Sequence, residues 1–206
     1  DRATLRTWTL RSLIVPGVWG SGLDSLLRDL RQTIDDHGEN GFPSAEIERR
    51  MAARGKSLAI TAEQIEDILN LPYGAARTFA VLAVLFPHVN TRNIHHVDHI
   101  FPQALLSKAK LKQAGITGEA ADEFQAKRDL LPNLELLEGA ENISKSDSVP
   151  ATWASTMFAA PDALQAYLDR NAIRRLPADA HEFADFYNER RSALTQRIVH
   201  FLGAAS

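Results

Sequence analysis

Apolar residues over positions 1 to 90 recur mostly three and four apart, the spacing that lines one face of a helix. Thr4 to Ile14 carries Leu5, Trp8, Leu10 and Leu13, and ends at Pro16 and the glycine-rich Val18-Trp19-Gly20-Ser21-Gly22. Ser21 is placed to cap a second helix reaching about Asp36, with Leu23, Leu26, Leu27 and Leu30 as its stripe and His37-Gly38 as its stop. Ser44 to Ala53 predicts a shorter, charged helix. Thr61-Ala62-Glu63-Gln64 is a capping-box pattern ahead of Ile65, Ile68 and Leu69. Gly74 to Phe86 is apolar nearly all round, which places it at the centre of the helical part.

The pattern changes near Asn93. Ile94 to Phe101 predicts a short strand, Gln103 to Gln113 a helix that Gly115 closes, and Glu119 to Leu130 another helix. Leu134 to Leu137 predicts a second strand, and Gly139-Ala140-Glu141-Asn142 a helix start. Asp162 to Arg170 and His181 to Leu202 are helical, the latter with Phe183, Phe186, Tyr187, Leu194, Ile198 and Phe201 on one face. The expected organisation is a helical subdomain over 1–90, a strand–strand–helix unit over 91–153 with a helical insertion at 107–128, and C-terminal helices over 154–206 packing on the core.

Composition narrows the classes. The 206 residues, 45% hydrophobic and 24% charged, suit a globular chain. The longest apolar run, Phe79 to Phe86, is far short of the roughly 20 residues that span a bilayer. No secretion leader opens the chain, so a cytoplasmic location is expected. The absence of cysteine excludes disulfides and thiolate zinc sites, so no zinc is expected. The start at Asp1, inside a helical pattern, reads as a piece of a longer protein with an N-terminal part missing. A net charge of −3 argues against a general nucleic-acid coat protein, but leaves room for a site with a local basic rim.

Chemistry concentrates in His96-Val97-Asp98-His99-Ile100-Phe101-Pro102, Asn133-Leu134-Glu135-Leu136-Leu137 and Asn142-Ile143-Ser144-Lys145. Metal-assisted phosphodiester cleavage needs a base near neutral pKa, which His99 offers. It also needs a hard ion such as Mg²⁺ or Mn²⁺ on few oxygen ligands, for which Asp98 and Asn142 are candidates. Asn133 is suited to hold the strand or turn that aims the imidazole. Lys145, one helical turn beyond Asn142, is placed to meet a phosphate oxygen. Asp98 and His99 are neighbours that would face opposite ways on a regular strand, so a shared site requires the strand to end or twist there.

Val-Asp-His-Ile-Phe-Pro, Asn-Leu-x-Leu-Leu and Asn-x-x-Lys-Ser-Asp together resemble the HNH nucleases of the His-Me finger (ββα-metal) superfamily. They are particularly similar to the nuclease domain that follows a ParB-like N-terminal domain in modification-dependent restriction enzymes of the GmrSD type and in phosphorothioate-sensing phage-defence proteins of the SspE type. The run Lys145 to Pro150 is also similar to the HNH domain of the RNA-guided CRISPR nuclease. The nuclease motifs cover roughly residues 93 to 153, and the helices from Trp8 to Phe79 are more loosely similar to those between the two domains of such proteins. The resemblance implies a mainly α fold with a small ββα-metal finger inserted among helices. It implies Asp98 as metal-binding acid, His99 as general base, Asn133 as structural asparagine, Asn142 as last metal ligand and Lys145 as a phosphate contact, with His96 an auxiliary outer histidine. It further implies a DNA endonuclease, a nickase acting in restriction of phage or modified DNA, with a ParB-like domain as the missing N-terminal part. The insertion at 107–128 departs from compact relatives.

Lys108, Lys110, Lys112, Lys127 and Arg128 in or beside the insertion are candidates for tracking a DNA backbone, and Arg174, Arg175, Arg190, Arg191 and Arg197 form a second set; each alone is more often a solvated helix residue. His95 reads as an exposed bystander, His88 as a helix cap, and His181 and His200 as tail-helix residues without chemistry. A competing class is a catalytically silent DNA-binding or regulatory module that keeps the finger as scaffold. RNA as substrate stays open, and the oligomeric state is not legible.

Overall fold

A computed structural model describes residues 1–88, 93–139 and 144–202. Its described part is mostly helical with one small antiparallel sheet. The chain divides into two compact units, 1–66 with 198–206, and 67–197. No described helix is long and apolar enough to cross a membrane.

The first unit contains α1 (Arg2–Ile14), α2 (Leu23–His37), α3 (Ser44–Ala53) and the start of α4 (Ala62–Leu69). Gly22, not Ser21, precedes α2: it takes a left-handed φ of +74°, and Ser25 Oγ donates to its carbonyl instead. The capping box at α4 forms as the pattern predicts. Thr61 N–H donates to Gln64 Oε1 at 3.0 Å, and Gln64 N–H to Thr61 Oγ1 at 3.2 Å, so two end amides are satisfied reciprocally. Trp8, Leu26, Leu30, Ile47 and Met51 build this unit's core, with Trp19 and Phe42 meeting the Trp8 ring edge-on.

The second unit holds the sheet. β1 (His95–His99) pairs antiparallel with β2 (Leu134–Glu138), in the register His95–Glu138, Val97–Leu136, Asp98–Glu135 and His99–Leu134. α5 (Ala76–Leu85) packs against both strands and buries Val81, Leu82 and Leu85, whereas Phe79 is 40% exposed. Between the strands lie α6 (Lys108–Gln113) and α7 (Glu119–Lys127). The helix expected from Gln103 starts only at Lys108, because Pro102 to Leu106 closes turns and Ser107 caps the helix by accepting from Lys110 N–H. After β2 come α8 (Pro150–Met157), α9 (Pro161–Arg170) and α10 (Phe183–Leu202), which starts later than His181 because a 3₁₀ turn over Ala180–Glu182 precedes it. Phe101, Leu106, Leu111, Phe124, Leu137, Trp153, Tyr167 and Phe183 pack into one core that joins the insertion helices to the sheet. The helix start expected at Asn142 lies outside the described residues, which resume with a helical turn at Ser144 and Lys145 that ends at Ser146, φ +47°.

Candidate functional site

The end of β1 is fixed by one buried side chain. Asn133 is fully buried; its Oδ1 accepts from Phe101 N–H at 2.9 Å, and its Nδ2 donates to Phe101 O at 3.0 Å and Arg128 O at 2.7 Å. Its main-chain carbonyl accepts from Ile100 N–H at 2.7 Å. A primary amide has both the donors and the acceptor to do this, which no apolar or acidic residue of its size has. The segment leaving His99 is therefore anchored to the residue that immediately precedes β2.

His99 is itself buried. Its Nε2 lies 2.9 Å from Asp129 Oδ1, and its ring packs 4.6 Å from that of Tyr73. Asp129 also accepts from Gln103 Nε2 at 2.5 Å and Arg128 Nε at 3.1 Å. Burial pushes the imidazole pKa below its ordinary value, against the raising effect of the Asp129 bond. Burial alone would raise the Asp129 carboxyl, but the bonds from Gln103, Arg128 and His99 outweigh it and hold the carboxyl below its ordinary value.

Asp98 lines a groove of about 380 Å³ with Tyr73, Gly74, Phe79, His96 and Val97. Tyr73 thus touches both sides of the strand end, lining the groove beside Asp98 and packing on His99. His99 does not itself line this groove: it is buried against Asp129, whereas Asp98 faces the groove and Lys145, and Tyr73 links the two neighbours. Of the oxygens of Asp98, Oδ2 accepts from Lys145 Nζ at 2.8 Å.

Lys145 is 1% exposed, and its ammonium is fully engaged. Besides Asp98 it donates to the His99 carbonyl at 2.8 Å and to Glu135 Oε1 at 2.5 Å, and it lies 5.2 Å from the Trp153 ring centre. An ammonium has three donors, and three acceptors take them. Glu135, completely buried, accepts a further bond from Tyr167 O–H at 2.7 Å; burial, then the Glu135 charge, raises the Tyr167 pKa well above its ordinary value.

Of the expected site residues, Asp98, His99, Asn133 and Lys145 therefore converge on the end of β1. His96 is exposed on the groove, and Asn142 lies outside the described residues. Lys108, Lys110 and Lys112 are exposed; Lys127 is half-buried on Glu123 and over the Tyr187 ring, and Arg128 half-buried on Asp129 and Gln125. Arg190 differs from the solvated residue that its helix pattern suggested. It is 1% exposed and donates to the carbonyls of Pro132 at 2.8 Å, Leu134 at 2.7 Å and Asn171 at 3.2 Å, and burial lowers its pKa to about 10. Arg197 likewise spends its guanidinium on the carbonyls of Arg170 and Asp169.

Asp129, Glu135, Tyr73 and Tyr167 are the residues that the sequence pattern passed over. Glu135 did leave a signal: a single charge inside Leu134-x-Leu136-Leu137 on a strand apolar on both faces requires a buried cation. Asp129 left none, since it follows a charged helix like any surface acid.

Mg²⁺ binds to proteins through one or two oxygens and keeps several waters. Asp98, half-buried at an open groove with Oδ2 already oriented, fits such a hydrated ion as a single carboxylate ligand. Among the described residues no group of three His, Cys, Asp or Glu side chains is arranged to hold a metal. Compared with known families, the chain matches no family model, and no curated protein matches it.

Proposed function

We propose that this chain is a metal-dependent DNA endonuclease of the HNH type that nicks one strand at a time. The observation that carries this reading is the Asn133 clamp on Phe101, which fixes the chain just after Asp98 and His99 at the end of β1. A reaction that must hold a base and an acid in fixed relation needs such an anchor, and a chance Asp-His pair does not.

In this reading His99 takes a proton from water as the water oxygen attacks phosphorus in line. The phosphorus–O3′ bond breaks and the leaving oxygen takes a proton from a solvent water, leaving a 3′-hydroxyl and a 5′-phosphate. Asp98, with Asn142, would hold Mg²⁺ or Mn²⁺, which when bound supplies positive charge to the phosphate and the leaving oxygen. Lys145 acts through Asp98, because its donors are spent on Asp98, Glu135 and the His99 carbonyl. The substrate class is phage or modified DNA, and recognition belongs to a ParB-like N-terminal domain of the same protein.

The test is to incubate the 206-residue chain with supercoiled plasmid and Mg²⁺ or Mn²⁺, beside His99→Ala and an EDTA control. Open circles from the wild type alone are expected. Equal conversion by His99→Ala would remove the base assignment.

One observation favours a second reading, a catalytically silent DNA-binding module. The Lys145 ammonium already neutralises Asp98 at 2.8 Å, as a metal ion would. Mn²⁺ titration separates the two: a nuclease site shows paramagnetic broadening centred on Asp98, a silent one does not.

A further inference from the structure

His99 is held from two sides by one residue. The Asp129 carboxylate meets Nε2 at 2.9 Å, and the Asp129 carbonyl accepts from Tyr73 N–H at 2.6 Å, which keeps the Tyr73 ring 4.6 Å from the imidazole. Around this link, Leu131 N–H donates to Leu71 O at 3.0 Å, and Pro72 and Leu130 form an isolated antiparallel bridge. The segment before α5 and the segment after α7 therefore close over the ring as one device, and Asn133 Nδ2 on Arg128 O ties that device to the end of β1.

The chemistry of the bond decides which nitrogen carries the proton. An ionised carboxylate only accepts hydrogen bonds. Asp129 already accepts from Gln103 and Arg128, so its bond to the neutral imidazole requires Nε2 to be the donor. Nδ1 is then the nitrogen with the lone pair, and among the described residues no hydrogen bond reaches it.

We infer that Asp129 is a positioning residue for His99, fixing the Nε2–H tautomer and leaving Nδ1 as the nitrogen that accepts the proton of the attacking water. This rests on the nuclease reading only for what Nδ1 does; the tautomer itself stands apart from activity. The insertion between the strands thereby gains a role: its last helix leads into Asp129, which meets the imidazole while Arg128 donates to its carboxylate.

The experiment is ¹⁵N-edited NMR of the histidine rings in the full 206-residue chain at about pH 8, with the His99 signals identified by their loss in His99→Gln. The wild type should show the His99 ring proton on Nε2, shifted downfield and slow to exchange. Asp129→Ala should lose that signal. Asp129→Asn, of equal size, keeps the fold and should weaken it. Beside this, plasmid nicking by Asp129→Ala should fall in kcat by about 100-fold with KM little changed, the signature of a misaimed base. A wild-type proton on Nδ1, or an unchanged Nε2–H signal in Asp129→Ala, would overturn the inference whatever the nicking shows. Nicking that proceeds at the wild-type rate in Asp129→Ala would overturn it as well. A wild type that never nicks, yet shows the Nε2–H signal and loses it in Asp129→Ala, sinks the nuclease reading and leaves the positioning standing.

Discussion

Asp98 and Glu135 stand directly opposite each other across β1 and β2, two carboxylates in one cross-strand pair. Like charges so placed repel. Lys145 Nζ lies 2.8 Å from the one and 2.5 Å from the other, and so converts a destabilising pair into a charge-paired triad.

Removal of the ammonium should be severe. Lys145→Met leaves Glu135 buried beside a second carboxylate, and the loss of one partner from a buried ion pair costs about 3–5 kcal/mol. Urea unfolding should show that loss, and Lys145→Met combined with Glu135→Gln should recover a substantial part. A single variant as stable as the wild type would mean that the triad contributes nothing to the fold.

Asn133→Ala leaves the amide and carbonyl of Phe101 and the carbonyl of Arg128 without their partner in a buried site. A destabilisation of about 2–4 kcal/mol is expected. Asn133→Asp should not rescue it, because a carboxylate cannot donate to the two carbonyls. Thermal melts of both variants check this.

Arg190→Lys should also destabilise, by roughly 2–3 kcal/mol, since a point-like ammonium cannot span carbonyls on β2, its lead-in turn and Asn171 as the guanidinium does. Equal stability of the lysine variant in urea would show that charge alone suffices there.

The acid side of the stability profile should carry Asp129. Its native carboxyl pKa is lowered, so its contribution is whole above the unfolded value of about 4 and is lost as pH falls through the lowered native value. The difference in unfolding free energy between wild type and Asp129→Asn, about 1 kcal/mol at neutral pH for a group a third exposed, should therefore shrink as pH falls below about 4. A difference that grows on acidification would contradict the sign.

Lys108, Lys110 and Lys112 are exposed on the insertion, so their joint replacement by Ala should leave stability within about 0.5 kcal/mol. DNA affinity should fall, and its salt dependence should flatten by about 0.9 in log–log slope for each phosphate that is no longer neutralised. Binding titrations at several salt concentrations read both. An unchanged slope would remove these lysines from the DNA path.

The sequence by itself determined the local order: the helices of periodic apolar spacing, the Thr61–Gln64 box, two short strands and a cluster of Asp98, His99, Asn133 and Lys145. These are legible because helix period, end capping and strand breaks are set by residues within a few positions of one another. Only the tertiary structure decided what the charges do. Lys145 reads as a solvent-facing or phosphate-facing cation until Glu135 is seen buried beside it, and Arg190 reads as one more helix-face arginine until three carbonyls are found around it. Asp129 becomes the partner of His99 only when the chain after α7 folds back across thirty residues. A charged side chain must find its counterpart once water is excluded. Which counterpart it finds depends on which distant segments are packed together, and local spacing does not encode that.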